Sequence, residues 1–123
     1  MTNWQEELTH LDIDELIERI ATYNPKSNSK LIRAAFEYGA RMHFGQYRHS
    51  GDPYFTHPFE VAEVLANMQL ADATINTAFL HDTIEDTGST YTEVSDLFGR
   101  EVAELVDGVT KLTNLQLSSS ETK

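Results

Sequence analysis

The segment from Phe79 to Thr87, "FLHDTIEDT", sets His81, Asp82, Glu85 and Asp86 within six consecutive positions. Imidazole nitrogen and carboxylate oxygen are the donor types that bind Mn²⁺, Fe²⁺ or Zn²⁺, and a carboxylate beside such an ion can take a proton from water. On a helix turning about 100° per residue, Glu85, Asp82 and Asp86 fall about 40°, 100° and 140° from His81, on one side. Leu80 and Ile84 fall near about 260° and 300°, so the helix carries a core face and a separate acidic face able to line a cleft. The same residues suit a solvated acidic face or an ion-pair network equally well, because unpaired charge is costly to bury. His57 supplies another imidazole at a helix start, where capping or packing is the commoner use.

The elements that must position these groups read as helices. "LDIDELIERIATY" puts Leu16, Ile17 and Ile20 on one face, with Asp12 or Asp14 as the starting cap and Pro25 beyond the end. "SNSKLIRAAFEYGARMHFGQ" spaces Leu31, Ala34, Ala35, Tyr38 and Met42 helically after a polar start from Ser27 to Ser29. Gly39 weakens that pattern without breaking it. "YRHSGDPYF" has turn chemistry and no period, which predicts an ordered loop. Pro58 fits the first position of a third helix striped by Val61, Val64, Leu65 and Met68, and Asp72 is expected to cap a fourth, "ATINTAFLHDTIED". Thr90 and Glu93 fit a capping box for a short fifth helix closed by Gly99, and Val102, Leu105, Val106 and Val109 stripe a sixth. No segment reads as a strand. The expected fold is therefore all-α, a compact bundle of about six helices spanning 1–114, followed by a disordered tail, 115–123, where the pattern is lost.

A chain of 123 residues is one domain by length and can bury a core. With no cysteine, any metal must use histidine and oxygen ligands. A formal net charge of -11 argues against a nucleic-acid or membrane-surface partner and means that an anionic substrate needs a metal ion or local cations. No apolar run is long enough to span a bilayer and the N-terminus lacks signal-peptide character, so the expected location is cytoplasmic.

Taken in order, "HFGQYRHSGDPYFTHP", "FLHDTIEDT" and "LFGREVAELVDGVTKL" resemble the N-terminal HD-type hydrolase domain of the RelA/SpoT homologue family, over roughly Leu31 to Leu112. The resemblance implies an HD-domain-like bundle that hydrolyses guanosine 3′,5′-bispyrophosphate (ppGpp) to GDP and pyrophosphate with one Mn²⁺. It assigns His57, His81 and Asp82 to the metal. Glu85 and Asp86 match the pair that positions or activates water, and Arg48 matches an arginine that stabilises the metal site. Arg48, His49 and Ser50 fall where the family holds the nucleotide, His49 replacing the usual lysine or arginine. His43 matches a histidine read as structural.

The family's remaining ligand, an aspartate in a "DRLHN"-like helix, has no counterpart here, so the domain is expected to be incomplete relative to the family. Three consequences are open. The chain hydrolyses the alarmone with the missing ligand recovered from a second copy or a complementing fragment through an exposed apolar face, or from water. It binds nucleotide or protein without catalysis. Or it is an inactive remnant.

Overall fold

The computed structural model describes residues 3–121, with side chains placed for 3–112. Eight helices follow in order among the described residues: α1 (Trp4–Glu7), α2 (Ile13–Tyr23), α3 (Ser29–Met42), α4 (Thr56–Asn67), α5 (Asp72–Leu80), α6 (Thr83–Asp86), α7 (Tyr91–Phe98) and α8 (Arg100–Glu121). Strand character among them is limited to one isolated antiparallel bridge, Tyr47 with Pro53. No described helix is long and apolar enough to cross a membrane.

Side-chain caps account for the starts of α2, α3 and α7. Asp12 and Asn28 each accept from the amide three residues on, Glu15 at 3.0 Å and Leu31 at 3.1 Å, so two orphan donors are satisfied. Thr90 does the same for Glu93 at 3.1 Å. The reciprocal half of that capping box is not made, because the Glu93 carboxylate instead accepts from the Tyr38 hydroxyl at 3.1 Å. Asp72 does not cap. It is the first residue of α5, and its carboxylate reaches across to the Asn28 amide at 2.7 Å and the Ser27 hydroxyl at 2.9 Å, tying the start of α3 to the start of α5. Pro58 is third in α4 rather than first, a position whose amide would also lack an intrahelical acceptor.

α5 is the central helix: α3, α4 and α8 pack on it, while α2 closes over α3 and α4, and α7 lies on α8. The aromatic centre is Phe36, which meets Phe55, Phe59 and Phe79 edge-on at centroid distances of 5.6, 5.7 and 5.8 Å. Trp4 on the unforeseen single turn α1 adds a further edge contact to Phe36 at 6.3 Å. At Gly39 α3 comes close to α5, since a Cβ there would lie 2.5 Å from the Phe79 carbonyl oxygen.

Two faces differ from the periodic reading. α3 buries Ile32, Ala35, Phe36, Tyr38, Gly39 and Ala40 while Ala34 is exposed. α4 buries Thr56, Pro58, Phe59, Ala62 and Ala66, and Val64 and the C-terminal cap Met68 are exposed. α8 runs on through Glu121, so the backbone of 115–121 is helical where a frayed tail is expected. No glycine or proline after Gly108 interrupts its hydrogen bonding.

Candidate metal and phosphate site

The chemistry-bearing segment is not one continuous helix. His81 Nδ1 approaches the Ala78 carbonyl at 2.9 Å, and the Thr83 hydroxyl donates to the Leu80 carbonyl at 2.8 Å. In an unbroken helix those carbonyls would accept the amides of Asp82 and Ile84, so the side chains compete with the ladder and α5 gives way to the single turn α6. His81 and Asp82 thus occupy a junction, half-buried, while Glu85 and Asp86 stand exposed on the following turn. The one-sided wheel of four polar groups is corrected accordingly.

A carbonyl only accepts, so His81 Nδ1 carries a hydrogen and the neutral ring presents a bare Nε2. That nitrogen lies 3.1 Å from Asp82 Oδ2. Two acceptors so close require positive charge, either a proton on Nε2 or a cation shared by both. Burial opposes charge on His81, but the bonds to Asp82 and Ala78 prevail and raise its pKa. Burial likewise opposes the Asp82 carboxylate, and bonds from His81 and Tyr54 prevail to hold its pKa below the ordinary value.

The Tyr54 hydroxyl donates to that same Asp82 oxygen. Burial and the neighbouring carboxylate push its pKa far up, so it stays a donor. The sequence carried no signal for this contact, since Tyr54 sits in an aperiodic loop and its partner is 28 residues away.

The pair passes a simple test as metal donors. Ligand atoms about 2.0–2.2 Å from one ion and about a right angle apart lie roughly 3 Å from each other. A histidine fixed through Nδ1 by a backbone carbonyl is also the usual outer support of an Nε2 ligand. His57 is different: it is exposed on the first turn of α4, and no three His, Cys, Asp or Glu residues are grouped to hold an ion among the described residues. The structure therefore brings together His81 and Asp82, and does not gather His57 with them.

Beside the pair, the loop between α3 and α4 closes by bonds from the Arg48 amide to Asp52 and from the Gly51 amide to Arg48, both 2.8 Å. Gly51 takes φ +93°, a left-handed conformation that suits glycine. Arg48, His49 and Ser50 are exposed on it and, with Tyr47 and Tyr54, line an open cleft of about 510 Å³. Tyr54 is thus a wall of the cleft and a partner of Asp82.

A histidine–aspartate junction beside a cleft that carries Arg48 and two tyrosines, set in a helical bundle, is the candidate site. The HD domain family matches residues 35–123, and the chain belongs to it. It is 50% identical over 107 residues to "GTP pyrophosphokinase rsh" of Brucella ovis, covering 87% of this chain and 14% of that protein. It is 50% identical over 101 residues to "GTP pyrophosphokinase" of Myxococcus xanthus, covering 82% and 13%. Against "Bifunctional (p)ppGpp synthase/hydrolase SpoT" of Escherichia coli K12 it is 48% identical over 103 residues, covering 84% and 15%. These relatives make it an HD domain of the RelA/SpoT kind, and the chain spans about 14% of the length of the relatives it matches.

Proposed function

We propose that this domain is the hydrolase module of an alarmone-metabolising protein, removing pyrophosphate from ppGpp to leave GDP. The carrying observation is the 3.1 Å approach of His81 Nε2 to Asp82 Oδ2, two acceptors that a divalent cation would satisfy together. His81, Asp82 and, after reorientation of its exposed side chain, His57 would hold Mn²⁺. When bound, that ion lowers the pKa of water and polarises a phosphoryl oxygen.

The chain's own residues supply the rest. Glu85 and Asp86, exposed on α6 next to the pair, position the attacking water, and one of them accepts its proton. Arg48 and Ser50 offer a fixed cation and a hydroxyl to the nucleotide phosphates, and His49 adds positive charge only when protonated. Tyr54 holds Asp82 in orientation through its hydroxyl.

A carboxylate to complete the ligand set would come from outside the described residues. An apolar cleft of about 270 Å³ that includes Val61, Leu65, Ala78, Val109 and His81 supports this, because an occupant would lie against the pair. Nucleotide or protein binding without turnover is the second reading, favoured by the absence of a third grouped ligand among the described residues.

Mn²⁺ titration calorimetry together with pyrophosphate release from ppGpp tests the proposal. His81→Ala and Asp82→Ala should abolish Mn²⁺ binding, and Glu85→Gln should retain it while losing hydrolysis. Saturable nucleotide binding without product, even with an added complementing fragment, would favour the second reading and sink the first.

A further inference from the structure

His43 is 2% exposed, and its Nε2 has no hydrogen-bond partner. Its Nδ1 lies 2.9 Å from Gln46 Oε1, and Gln46 Nε2 donates to the Asp86 carbonyl at 3.0 Å. These two contacts fix each other. Reversing the amide would set its oxygen against the Asp86 carbonyl, acceptor against acceptor, so Oε1 must face the ring and Nδ1 must carry the hydrogen. Gln46 is also tied through its backbone: its amide donates to the His43 carbonyl at 3.0 Å, and its carbonyl accepts from the Tyr54 amide at 2.8 Å.

One residue therefore joins the end of α3, the loop that carries Tyr54, and the turn that carries Glu85 and Asp86. Tyr54 in turn holds Asp82, and its ring lies 4.9 Å from that of His43. A purely packing role at position 43 would be better served by an apolar ring, since a buried, unpartnered Nε2 costs stability.

We propose that His43 and Gln46 are positioning residues, a buried brace that sets the Glu85–Asp86 turn at a fixed orientation to the Tyr54–Asp82 pair. The consequence for turnover rests on the hydrolase reading, but the brace itself does not. Without it, α6 is a single turn with exposed carboxylates and no other side-chain bond from the α3–α4 loop to its end among the described residues.

Two variants dissect it in the full chain. Gln46→Met removes both side-chain links at similar length. Gln46→Glu keeps an acceptor for His43 Nδ1 but removes the donor to Asp86. Proton NMR should show a slowly exchanging His43 Nδ1 hydrogen in the wild type and Gln46→Glu, lost in Gln46→Met. Hydrogen exchange across 83–88 should rise roughly five- to tenfold in both variants, with α3 and α5 unchanged.

In turnover, both variants should lower kcat about tenfold or more, leaving KM and Mn²⁺ affinity within about twofold. Unchanged exchange at 83–88 would overturn the brace, as would a rise spread equally over α3 and α5, which would mark a packing role. If the wild type releases no pyrophosphate, the hydrolase reading fails while the exchange and NMR results still decide the brace.

Discussion

Replacing Gly39 with alanine tests the packing that presents His81. In the helix interior an alanine would normally gain about 1 kcal/mol over glycine. At Gly39 the new Cβ would lie 2.5 Å from the Phe79 carbonyl oxygen and 2.6 Å from Phe55 Cε1. One obstacle is backbone of the central helix and the other a ring held among three aromatics, so neither moves aside easily. Overpacking of this severity costs about 3 kcal/mol, the upper end of its usual range, which leaves a net loss of about 2 kcal/mol. At roughly 4 °C per kcal/mol for a domain of this size, Tm should fall by roughly 8 °C.

Gly108→Ala is the control, because α8 offers nothing within 4 Å of an added Cβ there and the helix-propensity gain should appear as up to ~1 kcal/mol of stabilisation. Urea and thermal unfolding measure both. The strain presses on Phe79, two residues before His81, so under the proposed metal-binding role of His81 and Asp82 Mn²⁺ affinity should drop in Gly39→Ala and not in Gly108→Ala. Equal stabilisation by the two substitutions would refute the close approach of α3 to α5.

Two further outcomes follow from the described contacts. Asp72→Ala leaves the Asn28 amide and Ser27 hydroxyl without their acceptor and should cost about 1–3 kcal/mol in urea unfolding, with a loss below about 0.5 kcal/mol showing that water replaces the carboxylate. The His81–Asp82 pair should give a pH window of stability. Folding raises His81 above 6.5, so its contribution is complete below that value and is lost as pH rises through the folded pKa. Folding lowers Asp82 below 3.8, so its contribution is complete above that value and is lost as pH falls through the folded pKa. The stability difference between wild type and Asp82→Asn, from urea midpoints without metal, should therefore be greatest between 3.8 and 6.5; a difference that keeps growing at alkaline pH would contradict the pairing.

The comparison of α4 with α2 shows where the sequence stops being sufficient. In α2 the buried residues, Leu16, Ile17 and Ile20, are all large aliphatics, and period alone finds the face. In α4 Val64 is exposed, as is Met68 just past its end, while the small Ala62 and Ala66 are fully buried. Hydrophobicity reports how favourable burial would be, and the distance to the neighbouring helix decides which side chains fit.

By itself the sequence determined the helical class, the starts of α2, α3 and α7, the family and the pairing of His81 with Asp82 as neighbours in a motif. Those properties rest on interactions among residues a few positions apart: caps, apolar period and motif spacing. Only the tertiary structure decided that Tyr54 donates to Asp82, that Gln46 ties the α3–α4 loop to Asp86, that Asp72 reaches Asn28, and that Gly39 must lack a side chain. Each of these depends on groups 28 to 44 residues apart in sequence, whose meeting follows from how whole helices pack. The break at His81 lies between the two cases, because its hydrogen bonds are local but compete with the helix ladder. Burial of the junction against the bundle then stabilises the broken form.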